Sequence, residues 1–157
     1  MADFVHLHVH SDYSLLDGLT QIKPLVKAAK AKGFKALALT DYGSMYGAIE
    51  FYQACLAQEV KPIIGFEAYV ARRTRFDIDP EKDKDPHHLI LLAENYDGYR
   101  NLMKLSSIGH LEGLYNGKPR IDKDILKQYS GNIIALSGFS IYIMLFSNWN
   151  LSSFSSL

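Results

Sequence analysis

The chain has one cysteine, no excess of either charge, and, in its uncharged last stretch, an apolar core of only Ile141 to Phe146, far shorter than the roughly 20 residues that a membrane-spanning helix needs. A lone Cys55 excludes an intramolecular disulfide and suits a reducing compartment, where it serves as a small core hydrophobe. Lys plus Arg total 17, as do Asp plus Glu. No global positive field therefore drives adhesion to DNA or to a membrane surface, and any nucleic-acid contact is local or belongs to a partner. The glycines are too dispersed for a phosphate-cradling loop of the dinucleotide or Walker type. The start, Met1-Ala2-Asp3-Phe4-Val5-His6, lacks a basic segment followed by a long apolar run and so reads as no secretory signal. A cytoplasmic protein without membrane contact is expected.

What is present is a composition suited to one packed core: 157 residues, 48% hydrophobic and 12% aromatic. Strand-like and helix-like segments alternate, which predicts an α/β fold on a largely parallel sheet. Strands are expected at 4–10, 34–40, 61–70, 88–93 and 132–136. Thr20 is the expected cap of a first helix whose apolar positions are Ile22, Leu25, Val26 and Ala29, with Gly33 as its stop. A second helix over about 45–58 is expected to bury Met45, Ile49, Tyr52 and Leu56. Helical spacing resumes around Tyr99, Leu102, Met103 and Leu105. The stretch Gly113 to Arg120 reads as a connection, and Asp122 as the N-cap of a short helix over 123–129. Between Arg72 and Asp85 the chain is almost wholly charged, the pattern of a solvated loop.

The last stretch, 139–157, has no Lys, Arg, Asp or Glu and carries six serines among scattered aromatics. It is either a terminal segment packing on the sheet or a non-native ending.

In the first strand a period of two places His6, His8 and His10 on one face, with Leu7 and Val9 on the other. His8 and His10, roughly 6.6 Å apart along a strand, can converge on one cation. His6, deeper in the strand, reads as a packed core histidine. Asp17, Asp41, Tyr42, Glu67 and the pair His87 and His88 fall at further strand ends. Singly each has a structural explanation: Asp17 shapes a turn, Asp41 caps a helix, and one of His87 and His88 is exposed. Together they favour a cluster of mixed imidazole and carboxylate ligands, which suits Zn²⁺, Mn²⁺ or Fe better than Ca²⁺. Such cations lower the pKa of bound water and neutralise phosphoryl oxygens, the requirements of phosphoester hydrolysis. A basic and aromatic surface from Tyr42, Tyr46 and Phe51 with Arg72, Arg73 and Arg75 is the nucleic-acid alternative.

The run His6-Leu-His-Val-His-Ser-Asp-Tyr-Ser-Leu-Leu-Asp-Gly18 resembles the opening motif of the polymerase and histidinol phosphatase (PHP) domain that begins bacterial replicative DNA polymerase alpha subunits, those of DNA polymerase III. The runs 38–52, 61–70, 88–95, 98–102, 119–122 and 134–138 match that family in order. The resemblance implies a partial TIM-like (β/α) barrel of about five parallel strands with flanking helices, incomplete in this chain. It also implies up to three divalent ions, Zn or Mn, at the C-terminal strand ends. Carried over, His8 and His10 are the first ligand pair, Asp17 the loop ligand, Glu67 the bridging carboxylate and His88 the next histidine.

Three departures stand out. Tyr42 replaces a ligand histidine, Phe139 replaces a ligand cysteine, and the late Asp-x-His motif is absent. The similarity ends at Gly138, so 1–138 reads as the N-terminal part of a PHP domain and 139–157 as an atypical tail. An open sheet edge then predicts self-association. Implied partners are the rest of the alpha subunit, DNA through that subunit, and other replisome subunits. Template-directed synthesis with Mg²⁺ belongs to the full subunit, while phosphoesterase or 3′-5′ exonuclease activity belongs to metal-competent PHP domains. The rivals are a stand-alone metal-dependent phosphatase and a non-catalytic module whose site has decayed.

Overall fold

Strand β2 (Lys61–Val70) organises the sheet, because neighbours pair along both of its sides. The computed structural model describes residues 4–137 and the short strand β7 (Ile143–Leu145). Apart from that strand, the tail 139–157 lies outside the described residues. On one side of β2, β1 (Ala36–Leu39) runs parallel to its first half, and β5 (Lys118–Ile121) runs parallel to its last two residues. On the other side β3 (His87–Ala93) is antiparallel, with Tyr69 opposite His88. β6 (Ile133–Ser137) pairs antiparallel with β3, and β7 antiparallel with β6. Among the described residues no pairing links β7 back to β1.

The α/β class stands, but the expected run of parallel strands is corrected to a mixed sheet. Parallel neighbours need a crossover, usually helical, to bring the chain back to its starting end. The link 71–86 between β2 and β3 contains no helix. It folds against the end of β2 instead and returns the chain antiparallel. That link is also less solvated than its composition predicts. Asp83 is buried and paired with Arg73, Arg75 pairs with Asp122 and Glu112, and the buried Arg120 guanidinium donates to the carbonyls of Arg75 and Asp77.

The expected first strand is an extended but irregular segment. Ala38 N–H donates to His6 O at 2.9 Å and Thr40 N–H to Val9 O at 2.8 Å, while Val9 N–H turns to the Thr40 hydroxyl. Three residues on one side thus span two on the other, which breaks the regular ladder. His6 is exposed rather than in the core, its ring edge-on to Phe4 and Phe34.

Two-residue alternation sorts the sheet's faces. Phe66, Ala68 and Val70 of β2, Leu89 and Leu91 of β3, and Ile133 and Ala135 of β6 pack under α3 (Tyr96–Glu112) and α4 (Lys123–Gln128). The opposite face carries Ala38, Ile90 and Leu92, with Leu7, Ile63, Ile134 and Leu136 against them. Glu67, Tyr69 and His88 continue that second face to one end of the sheet. Helix α3 starts where Asn95 caps two N–H groups, and α4 starts at Asp122, whose side chain accepts from Ile125 N–H as expected. The stretch expected as a plain connection forms a hairpin of β4 (Leu114–Tyr115) and β5 around Asn116-Gly117, both at positive φ. An Asn-Gly pair of that kind is the chemistry of a tight two-residue turn.

Helix α1 (Ile22–Ala31) buries Ile22, Val26 and Ala29 as predicted, although its N-cap is Gln21 without a side-chain bond rather than Thr20. Helix α2 (Ala48–Ala57) is rotated from the expected phase. Ala48, Phe51 and Cys55 are buried, while Ile49, Tyr52 and Leu56 are exposed. Both sets keep helical spacing, so periodicity by itself does not choose between them. Phe51→Ala is expected to cost about 3–5 kcal/mol. The pair Ile49→Gln and Leu56→Glu should stay within about 0.5 kcal/mol and reduce self-association. Urea unfolding and sedimentation velocity check both.

Candidate metal centre

Four of the five expected ligands meet at the end of the sheet. Glu67 projects from β2 and is buried, its carboxylate enclosed by histidines. Its Oε2 lies 2.6 Å from His8 Nε2 and 3.1 Å from His10 Nε2, and the two imidazole nitrogens are 2.8 Å apart. Its Oε1 lies 2.6 Å from His88 Nδ1. The two oxygens thus serve separate imidazoles. His88 opens its strand, yet it reaches this end because β3 is antiparallel and sets His88 beside Tyr69.

Burial pushes the Glu67 carboxyl upward, but hydrogen bonds from His10, His88 and His8 outweigh it and hold the group at about 2. Three atoms, His8 Nε2, His10 Nε2 and a Glu67 oxygen, form a compact donor group suited to one cation. Tetrahedral ligands at about 2.1 Å from a metal sit roughly 3.4 Å apart, so a cation would spread this triangle only slightly. The His8 side chain is 42% exposed, which leaves the group open to solvent.

Asp17 is the fifth expected ligand, and the structure does not bring it into the group. It is exposed on the loop after the first segment, near a tip where Leu15, Leu16 and Leu19 are also exposed. Its charge is nonetheless felt across the rim. Tyr42 is pushed up by burial, then by Glu67 and Asp17, and Tyr69 is pushed up to about 12 by burial, with Tyr42, Asp17 and Glu67 adding.

Tyr42 fills the space beside His10. Its ring stacks on the His10 imidazole at 4.1 Å between centroids and on Tyr69 at 5.9 Å, and meets His88 edge-on. Tyr69 was not singled out from the sequence, though its place two residues after Glu67 on one strand put it on the same face. Asp41 does not cap α2, whose N-cap is Gly47. Instead it is buried and accepts from Ser11 N–H, Ser11 Oγ and Ser14 Oγ, which ties the first loop to the end of β1. Gly18 is required there, since an added Cβ would lie 1.9 Å from Ser11 O. His87 and His88 are both half-buried, and burial, then Arg72 and Lys123, pushes His87 down.

The basic and aromatic surface does not assemble. Phe51 is in the core, Arg73 and Arg75 are paired with carboxylates, and Arg72 donates to Asp85 O.

The model of the PHP domain family matches residues 6–146, so the similarity runs past Gly138, where it was expected to end. The chain belongs to the PHP domain family. It is 52% identical over 135 residues to the DNA polymerase III subunit alpha of Treponema pallidum (strain Nichols), a match covering 85% of this chain and 12% of that protein. The corresponding subunit of Campylobacter jejuni subsp. jejuni is 43% identical over 155 residues, covering 99% of this chain and 12% of the relative. This PHP domain therefore spans about an eighth of the length of the curated relatives it matches. Among solved structures, an amidohydrolase from Chromobacterium violaceum aligns with a TM-score of 0.45 at 21% identity, covering 66% of this chain and 33% of the other. Among the described residues no helix is long and apolar enough to cross a membrane.

Proposed function

We propose that this PHP domain is the divalent-cation site of a bacterial replicative polymerase alpha subunit and acts on phosphodiester ends of DNA. The observation that carries the proposal is the Glu67 carboxylate, with one oxygen facing His8 and His10 and the other facing His88. In this reading His8, His10 and Glu67 Oε2 hold one Zn²⁺ or Mn²⁺, while His88 and Glu67 Oε1 supply part of a second site. Asp17 joins by movement of its loop. Bound cations would supply Lewis acidity toward a phosphoryl oxygen and an activated water. The chain's own part is to hold the imidazoles aimed, with Tyr42 and Tyr69 closing the side behind His10. The proposed partners are the remainder of an alpha subunit, DNA and other replisome subunits, in the cytoplasm. Template-directed synthesis with Mg²⁺ is proposed for residues outside this chain.

Tyr42 favours a second reading, a non-catalytic module, because a phenol occupies the place of a ligand imidazole and is stacked on both faces. Metal analysis of the purified chain, followed by hydrolysis assays, separates the readings. Bound Zn or Mn that is lost in the His8→Ala/His10→Ala double variant supports the cation site. Release of nucleotides from a 3′-labelled single strand, without turnover of a small phosphomonoester, supports action on DNA ends. Turnover of the monoester alone would identify a phosphatase of small metabolites. A metal-free chain with unchanged stability in the double variant would identify the module.

A further inference from the structure

The four arginines grouped at the end of β2 are already committed. Arg72 donates to Asp85 O, Arg73 pairs with Asp83, Arg75 with Glu112 and Asp122, and the buried Arg120 guanidinium donates to the carbonyls of Gly113, Arg75 and Asp77. Lys118 differs. Its Nζ lies over the Tyr69 ring, 5.7 Å from the centroid, and among the described residues it enters no ion pair. Tyr69 in turn meets the His88 imidazole edge-on at 5.0 Å, so one ring separates the ammonium from the candidate metal centre. The backbone fixes this placement. Lys118 opens β5 opposite Tyr115 across the Asn116-Gly117 turn, and the register of Tyr69 with Arg120 puts Lys118, two residues earlier, on the face that carries Glu67, Tyr69 and His88.

We infer that Lys118 is a substrate-binding residue that holds a phosphodiester of a DNA strand whose end lies at the metal centre. The inference rests on the action on DNA ends proposed above and adds the group that seats the strand. The need for it is electrostatic. Glu67 is ionised, held at about 2, and Asp17 bears on the same rim, so the chain's own carboxylates there repel a phosphodiester. A flexible four-carbon stem lets the ammonium move from the Tyr69 ring to a phosphate oxygen. The exchange is favourable, because a charge-assisted bond to phosphate is stronger than a cation–π contact. Arg120, on the same face, cannot serve, since its guanidinium is buried among backbone carbonyls. A phosphate contact carries no base information, so Lys118 should seat every sequence alike.

The test is a fluorescence-anisotropy titration of short single-stranded oligothymidine and oligoadenosine DNA by the metal-free 157-residue chain at several salt concentrations. Lys118→Gln should weaken binding by about 3- to 10-fold at low salt. It should also lower the slope of log affinity against log salt by about 0.7, the value for one phosphate on a single strand. Both probes should lose equally. Lys118→Arg should restore affinity and slope together, whereas a purely structural contact with Tyr69 would leave the slope untouched. Unchanged affinity and slope in folded Lys118→Gln, or binding of neither probe by the unsubstituted chain, would overturn the inference. Absence of nucleotide release by the Mn²⁺-loaded chain, with the Lys118-dependent slope intact, would refute the action on DNA ends instead and leave Lys118 as a strand-binding residue.

Discussion

Glu67→Ala is expected to reduce Zn²⁺ or Mn²⁺ affinity by well over the roughly 10- to 100-fold typical of outer-shell losses. The variant removes both oxygens at once, so His8 and His10 lose their shared carboxylate and His88 loses its partner. His88→Ala should have a smaller effect on the first cation, because the group formed by His8, His10 and Glu67 stays intact. Calorimetric titration of the two variants ranks them. Equal affinities in Glu67→Ala and the unsubstituted chain would rule out this carboxylate as a ligand. Affinity should also fall with pH, since protons compete for the same imidazole nitrogens. Tyr42→His offers the reverse experiment: it supplies a fourth nitrogen beside His10 and should raise affinity.

The second large effect is on stability. Asp122→Ala should destabilise the domain by about 2 kcal/mol, from a lost N-cap and a largely buried Arg75 that keeps Glu112 but loses its buried carboxylate partner. Asp122 is 3% exposed, accepts Ile125 N–H at the start of α4, and accepts both Arg75 N–H and the Arg75 guanidinium. Burial alone would push its carboxyl up. The N–H groups of Arg75 and Ile125, then the Arg75 guanidinium, prevail and hold it below the usual carboxylate range. A depressed folded-state value contributes stability that is full above the unfolded value of about 4 and is lost as pH falls through the lowered one. The gap between Asp122→Ala and the unsubstituted chain should therefore be widest near neutrality and narrow below about pH 4. Denaturant melts at several pH values measure this. A gap independent of pH would mean that the charge on Asp122 contributes nothing.

Much of the local structure was legible. Strand β2 falls at 61–70 as read, α1 buries the predicted Ile22, Val26 and Ala29, and Asp122 caps α4. Each depends on short-range chemistry: a continuous β-branched and aromatic run, a 3.6-residue stripe, and a side-chain oxygen placed before a helix. Where two answers satisfied the same local rule, the reading of the sequence failed. Helix α2 carries two apolar stripes, and the sheet took the one with Phe51 and Cys55. The Asn116-Gly117 hairpin carried its turn signal in plain view, but the strands beside it are only two and four residues long.

Residue types and spacing alone determined which side chains could form a cation group here: His8 and His10 two apart, Glu67 within a strand, and His88 at the start of another. Whether they meet was decided by the tertiary structure. In the parallel sheet expected at first, the start of β3 would lie at the far end from the end of β2, and His88 would be out of reach of Glu67. The antiparallel return after the stapled 71–86 loop brings the start of one strand beside the end of the other. The reason is physical: strand direction depends on what fills the link between two strands, and that link is held by Arg73 bonding to Asp83 across it and by Arg75 and Arg120 bonding to atoms distant in sequence. Pairings of this long-range kind leave no periodic trace in the chain.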